Sequence, residues 1–238
     1  MAVIKRSNLI IFTALVLSFI TLAICIGAFS VKPINQTTAS AIKIVLDAGH
    51  GGIDGGVCGI NSGIKESELN LDVTKKLQNY LVSAGFGVVL TRNSEAGLYG
   101  TAVGNLKKKD MKKRREIILD SNPNLVVSIH MNKFSNSSRR GAQTFYKEGD
   151  ENGKKLADSI QDSFNEMNES GRKYTALSGD YYILNCTEIP SVIAECGFLS
   201  NPDDEALLLK EEYRSEIAYT IFKGVVSYLS QRSMAFCD

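Results

Sequence analysis

Three short apolar runs, each leading into a residue that can bind a metal or move a proton, constrain this chain most. They are Ile42–Leu46 before DAGHGG with His50, Leu125–Ile129 before His130, and Val192–Ala194 before Glu195. Each run is short and rich in Val and Ile, which is typical of a buried strand. The ligand site of an open α/β sheet lies beyond the carboxyl ends of its strands. We therefore expect the chain's two histidines and this glutamate to lie at one sheet edge.

Helix and strand signals alternate between these runs, which predicts an α/β fold. Leu69, Val73 and Leu77 recur at helical spacing after Glu66, and the strand Val88–Leu90 follows. This strand–helix–strand order predicts a right-handed parallel crossover. Further strands are expected at Gln143–Tyr146 and Tyr181–Leu184. Further helices are expected over Leu106–Asp120, over Gly153–Met167, from Asn201 and over Ile217–Leu229.

Residues 1–30 are predicted to be a signal anchor or a signal peptide. Lys5 and Arg6 precede an uncharged apolar run that ends at Phe29, long enough to cross a bilayer core of ~30 Å. Basic residues before the run predict a cytoplasmic N-terminus and an exported domain, either membrane-anchored or secreted. Residues 31–41 are expected to be a polar linker, and residues 42–238 a single domain of roughly 200 residues.

Charge and cysteine content argue against several classes of protein. The formal net charge is +1, and the basic run Leu106–Asp120 has no interleaved aromatic residues, so nucleic-acid binding is not expected. That run is predicted to be a solvated helix face, and contact with anionic wall polymer or lipid headgroups is the alternative. The cysteines outside the apolar N-terminal run lack CxxC spacing, which favours buried free thiols over a disulfide scaffold.

Two imidazoles and a carboxylate form a ligand set that zinc hydrolases use, with one position left for water. His50 and His130 supply the nitrogens. Glu66 is the best candidate for the third ligand, because it begins a helix that must pack back across the first strand; Glu68 is its local rival. Glu195 directly follows a buried strand, so we expect burial to raise its pKa and suit it to general acid–base catalysis.

Two alternatives compete with this interpretation. A histidine at the end of a strand is often structural, although two such histidines with the glycine-rich loop Asp47–Gly59 and a strand-end glutamate favour a site. Cys196 is a rival nucleophile, but alternation along a strand points it away from the face that Glu195 uses.

Four segments carry a resemblance to a known family: IVLDAGHGGIDGG, IKESELNL, VVSIHMN and SVIAECGFLSNPDD. In order and spacing they resemble the zinc-dependent N-acetylmuramoyl-L-alanine amidases of the amidase-3 type, over about residues 42–229. The resemblance implies an α/β fold with a mixed, mostly parallel six-stranded sheet flanked by helices on both faces. It also implies that His50, Glu66 and His130 bind Zn²⁺ and that Glu195 is the catalytic carboxylate.

The same resemblance implies a zinc amidase that hydrolyses the amide between the lactyl group of N-acetylmuramic acid and L-alanine in peptidoglycan. A membrane-anchored, single-domain chain is most similar to the sporulation amidases of endospore formers, which act before muramic-δ-lactam forms in the spore cortex. Two alternatives stay open: another zinc peptidase that acts on the stem peptide, and a non-catalytic wall-binding protein. A protein partner that activates or localises the enzyme is a further hypothesis.

Overall fold

The computed structural model of the protein describes residues 42–168 and 171–234. The predicted signal segment 1–30, the predicted linker 31–41, Cys25 and Cys237 lie outside these residues. The predicted segment boundaries therefore stay predictions. Within the described ranges, no helix is both long enough and apolar enough to cross a membrane.

Six strands form one sheet in the described part of the chain. In chain order they are β1 (Lys43–Ala48), β2 (Gly87–Leu90), β3 (Leu125–Asn132), β4 (Gln143–Tyr146), β5 (Leu177–Ser178) and β6 (Ser191–Phe198). They lie side by side in the order β2-β1-β3-β6-β4-β5. β1 is parallel to β2 and β3, β3 is parallel to β6, and β4 is antiparallel to β6 but parallel to β5. The predicted mixed, mostly parallel sheet is confirmed.

Helices cover both faces of the sheet, as predicted. Over the described residues they are α1 (Glu66–Ser83), α2 (Leu106–Ser121), α3 (Glu151–Met167), α4 (Tyr182–Asn185), α5 (Pro202–Leu208) and α6 (Glu211–Met234). The larger core cluster joins the sheet to α1, α3 and α6, and the smaller cluster joins it to α2 and α4. The apolar spacing of α1 and α6 is explained by this packing, because α1 buries one face against the sheet and α6 buries one face against α1 and α3.

Alternation along the strands decides which face each functional side chain uses. On β3, Ile129 lies in the larger cluster, so the next residue, His130, belongs to the opposite face. On β6, Cys196 lies in the larger cluster and Ile193 in the smaller one. Glu195 therefore shares the face of His130, and Cys196 points away from both, as predicted.

One predicted strand is wrong. The segment Tyr181–Leu184 contributes to helix α4, and the edge strand β5 lies at Leu177–Ser178 instead. The backbone N–H of Leu184 donates to the carbonyl of Tyr181 at 3.1 Å, which closes a turn. Ile183 and Leu184 are both buried in the smaller cluster. A strand would point these neighbours to opposite sides, so packing overrides the strand propensity of the aromatic and β-branched residues.

Other elements are present with shifted ends. Helix α6 begins at Glu211, before the predicted start at Ile217. Strands β1 and β3 extend beyond their predicted ends, to Ala48 and Asn132. His130 therefore lies within the sheet rather than in the loop after it, and its position is set by strand pairing.

Candidate metal centre

His50 lies two residues beyond β1 and has a left-handed backbone, with φ at 61°. The preceding Gly49 donates its N–H to the carbonyl of Ile129 at 3.0 Å, which fastens this turn to β3. A side chain at Gly49 would collide with the imidazole of His130. Glycine at this position therefore lets the loop of His50 approach the ring of His130.

His130 and Glu195 are direct neighbours on the parallel strands β3 and β6. Both strands are buried along most of their length, and these two residues are less buried than those around them. Parallel strands end at the same edge of a sheet, where ligands of α/β proteins bind. Strand pairing therefore brings an imidazole and a carboxyl group from distant segments to one place.

Glu66 is the first residue of helix α1, and it is buried. Its Oε2 atom accepts a hydrogen bond from the backbone N–H of Val57 at 3.0 Å. Its Oε1 atom accepts from the backbone N–H of Met131 at 3.2 Å and from Nδ2 of Asn70 at 3.1 Å. Contacts from the glycine-rich loop, from β3 and from α1 itself therefore fix this carboxylate.

The side chains of His50, Glu66 and His130 converge. Oε1 of Glu66 lies 2.9 Å from Nδ1 of His130 and 3.3 Å from Nε2 of His50. The two imidazole rings are nearly perpendicular, with centroids 5.1 Å apart. One possible ligand atom of each residue lies within 4.8 Å of the others. Donor atoms about 3–4 Å apart suit a tetrahedral ion with bonds of about 2 Å, so this set of two nitrogens and one oxygen fits zinc.

The electrostatics of this group favour a cation. Burial by itself would raise the pKa of Glu66, but hydrogen bonds and charge from His130 and His50 hold it well below its ordinary value. Burial by itself would lower the pKa of His50, but Glu66 and Asp54 outweigh it and raise that pKa. Glu66 is therefore ionised at neutral pH, and the raised pKa of His50 favours its protonated form, with which a metal ion bound here would compete.

Asp54 lies behind His50, a relationship that the sequence analysis did not predict. Its Oδ2 atom is 3.0 Å from Nδ1 of His50 and 3.4 Å from Nζ of Lys107. A carboxylate behind a metal-binding imidazole fixes the orientation and tautomer of the ring. Asp54 follows His50 within the same glycine-rich loop, so a search of that loop for acidic residues would have found it.

Glu195 lies beside the three-residue group. Its Oε2 atom is buried and, among the described residues, has no hydrogen-bond partner. Burial raises the pKa of Glu195 to about 7, against the opposing charge of His130. This upward shift of the Glu195 pKa is the direction expected from the sequence. A carboxyl group that titrates near neutrality can both accept and donate a proton at working pH.

Residues 44–227 match the family profile described as N-acetylmuramoyl-L-alanine amidase. The chain belongs to this family. It is a hydrolase that acts on the amide between N-acetylmuramic acid and L-alanine in peptidoglycan. The family and the amidase activity that the four sequence segments predicted are confirmed.

Individual relatives agree with this assignment. The germination-specific N-acetylmuramoyl-L-alanine amidase of Bacillus subtilis is 35% identical over 193 residues, which cover 79% of this chain and 80% of the relative. A solved structure of the CwlD amidase from Clostridioides difficile, in complex with the GerS lipoprotein, has 39% identity and a TM-score of 0.76 and covers 79% of this chain and 98% of that one. The N-acetylmuramoyl-L-alanine amidase from Clostridium difficile 630 has 30% identity and a TM-score of 0.70, covering 80% and 97%.

The amidase brings together the residues that the sequence singled out. His50, Glu66 and His130 form one group, and Glu195 adjoins it. Glu68, the rival third ligand, is only partly buried and is not a member of the group. The roles of the four residues in metal binding and catalysis stay predictions.

The cysteines of the amidase differ from the prediction at one position. Cys186 and Cys196 are buried free thiols, as predicted. Cys58 is a free thiol too, but it is exposed, so the prediction of burial is wrong there. The glycine-rich loop lies at the surface at this point, which explains the exposure of Cys58.

Four buried charged residues beneath the His50 loop were missed: Asp47, Arg92, Asp110 and Arg114. The basic run predicted to be solvated does expose its lysines, but Asp110 and Arg114 face inward. Arg114 pairs with Asp47 and with Asp110, each at 2.6 Å. The signal that could have found them is the four-residue spacing of Asp110, Arg114 and Ile118, which places all three on one helix face.

Proposed function

We propose that His50, Glu66 and His130 bind a zinc ion and that Glu195 is the catalytic carboxylate of this amidase. One observation carries the proposal: two imidazole nitrogens converge on Oε1 of Glu66 beside a buried carboxyl oxygen without a partner among the described residues. Three protein ligands of this kind leave one coordination position open, which is typical of a catalytic zinc site rather than a structural one.

Glu195 has the proton-transfer role in this proposal. A zinc ion at the centre would supply Lewis-acid chemistry, which polarises the scissile carbonyl and makes a water molecule more acidic. Glu195 accepts a proton from the attacking water and later donates it to the departing nitrogen of L-alanine. A new C–O bond replaces the C–N bond, so the products are a free lactyl carboxyl group and a free amino group.

Mass spectrometry of digested peptidoglycan tests the bond that is cut. The expected products are intact stem peptides with a free L-alanine amine and glycan strands with free lactyl carboxyl groups. A stem-peptide carboxypeptidase would instead shorten the peptides and leave the lactyl amide intact. A non-catalytic wall-binding protein would sediment with sacculi and release nothing. Either of these results would contradict the proposal.

We place the reaction in spore cortex maturation, where it would precede formation of muramic-δ-lactam. The similarity to a germination-specific amidase of Bacillus subtilis supports this assignment. Analysis of cortex muropeptides from a strain that produces only Glu195→Gln tests it. Loss of muramic-δ-lactam is expected, and a normal lactam content would contradict the cortex role.

We also propose that the enzyme acts outside the cytoplasm, held at the membrane by residues 1–30 or released from it. Its peptidoglycan substrate and the predicted orientation of the N-terminal segment support this location. The CwlD amidase of Clostridioides difficile was solved with a lipoprotein, which favours a lipoprotein partner here as well. Fractionation of sporulating cells tests the location, and co-purification of the full-length protein from their detergent-solubilised membranes tests the partner. A protein found in the cytosol would contradict the location, and a protein that purifies without a lipoprotein would contradict the partner.

A further inference from the structure

We propose that Arg92 and Arg114 are positioning residues of the metal centre, whose buried guanidinium groups clamp the backbone that presents His50. The inference rests on the proposed zinc centre and adds residues to it that do not touch the ion. We call these two side chains and the carbonyl groups that they hold the arginine clamp.

Three consecutive carbonyl groups accept hydrogen bonds from the two arginine side chains of the clamp. Arg92 donates from Nε to the carbonyl of Ala48 at 2.8 Å and from Nη2 to that of Gly49 at 2.9 Å. Arg114 donates from Nη1 to the carbonyl of Ala48 at 2.7 Å and from Nη2 to that of His50. The turn after β1 therefore directs its carbonyl groups inward, where the guanidinium groups replace the water that would otherwise solvate them.

The backbone conformation held in this way is uncommon for histidine. Among the described residues, the other non-glycine residues with positive φ are Asn105 and Asn122, and asparagine tolerates this region well. A residue in a sparsely populated conformation persists only where its surroundings impose it. If the turn relaxed, the imidazole of His50 would rotate away from Oε1 of Glu66.

Arg92 also joins the two segments that carry His50 and Glu66. Its Nη2 atom donates both to the carbonyl of Gly49 at 2.9 Å and to that of Ser67 at 2.8 Å. Gly49 directly precedes His50, and Ser67 directly follows Glu66. One nitrogen atom therefore sets the separation between two ligand-bearing segments, which is a more specific task than filling the core.

The clamp requires arginine in particular. Arg92 and Arg114 are 3% and 1% exposed, so each donor must find its acceptor within the protein. A guanidinium group offers five N–H donors in a planar fork, whereas the lysine ammonium is a point charge on a flexible stem. Asp47 and Asp110 each pair with Arg114. With two carboxylates against two guanidinium groups, the cluster is neutral and does not repel a metal ion.

The test compares Arg92→Lys and Arg114→Lys with Arg115→Lys, which changes an exposed arginine of the same helix as Arg114. Full-length protein in detergent is stripped of metal, and its zinc affinity is measured by competition with a chromogenic chelator. The absorption spectrum of the cobalt(II) form reports ligand geometry, and circular dichroism reports folding. We expect zinc affinity to fall about 10–100-fold in both clamp variants, as when other groups that orient metal ligands are changed. The cobalt bands should shift in both, and Arg115→Lys should match the wild type.

Folded clamp variants with wild-type zinc affinity and an unchanged cobalt spectrum would overturn the proposal. Arginines that only support the fold would change neither the zinc affinity nor the cobalt spectrum of a folded variant. If a lysine variant does not fold, the zinc affinity of Asp110→Asn tests the clamp instead. It keeps both arginines but removes the carboxylate that accepts from Nε of Arg114 at 2.6 Å, and an unchanged zinc affinity there also overturns the clamp. A wild-type protein that binds neither zinc nor cobalt contradicts the proposed metal centre and the clamp with it.

Discussion

Nδ1 of His130 lies 2.9 Å from Oε1 of Glu66, although these residues are 64 positions apart in the chain. Strand β3 supplies the imidazole and the first turn of α1 supplies the carboxylate. The same oxygen lies 3.3 Å from Nε2 of His50. Glu66 is therefore the shared neighbour of both histidines, and its charge decides whether they can share an ion.

Glu66→Gln is expected to lose zinc. The neutral amide removes the negative charge that faces both imidazoles, so the loss of affinity should exceed the ~10–100-fold that follows changes to groups supporting a ligand. Inductively coupled plasma mass spectrometry of the purified protein measures zinc content. Glu68→Gln, on the same first turn of α1, is the matched control and should keep its zinc. Equal zinc content in the two variants would remove Glu66 from the ligand set.

Glu195→Gln is expected to keep zinc and to lose turnover by about 10²–10⁴-fold, the usual contribution of general acid–base catalysis. Release of stem peptides from purified sacculi, quantified by mass spectrometry, measures the rate. Glu188→Gln is the control, because the side chain of Glu188 is 92% exposed. Undiminished release by Glu195→Gln would assign the proton transfer to another group.

Zinc loading is expected to lower the pKa of Glu195. In the metal-free protein, burial raises this pKa to about 7. A divalent cation nearby favours the charged carboxylate, so the loaded protein should deprotonate this group at lower pH. A ¹³C NMR titration of protein labelled at the glutamate carboxyl carbons measures both values, and Glu195→Gln identifies the resonance. A pKa that zinc leaves unchanged would place Glu195 too far from the ion for its proposed role.

Acid is expected to destabilise the fold through Asp47. Burial by itself would raise the pKa of this carboxyl group, but the charge of Arg114 and hydrogen bonds from Ser128 and Thr91 lower it from 3.8 to about 2. A carboxyl group whose pKa is depressed in the folded state stabilises the fold above its unfolded pKa. That stability is lost as pH falls from 3.8 towards 2, and it amounts to about 2 kcal/mol.

Urea unfolding of the metal-free protein, from neutral pH down through this acidic range, measures the contribution of Asp47. Asp47→Asn should be less stable than the wild type at neutral pH and should lose less stability on acidification. Asp120→Asn, an exposed position near the end of α2, should follow the wild-type curve. An Asp47→Asn variant with the wild-type pH dependence would show that another buried carboxylate is responsible.

Much of the fold and of the candidate site could be predicted because the signals were local. The runs before His50, His130 and Glu195 are continuous in sequence, and a buried strand needs only such a run. The apolar spacing after Glu66 likewise predicted helix α1. The strand prediction for Tyr181–Leu184 was wrong because its residues favour a strand intrinsically, whereas the surrounding core buries two consecutive side chains in one helical turn.

The sequence by itself determined most of the order of strands and helices, and it placed His50, His130 and Glu195 directly after or near the ends of the apolar runs of β1, β3 and β6. These depend on chain-local properties: hydrophobic runs, their period and glycine content. Only the tertiary structure decided that Arg92 and Arg114 donate hydrogen bonds to the carbonyl groups of Gly49 and His50. The reason is physical: a charged side chain is buried only where distant segments supply its partners, and no stretch of sequence contains both halves of such a contact.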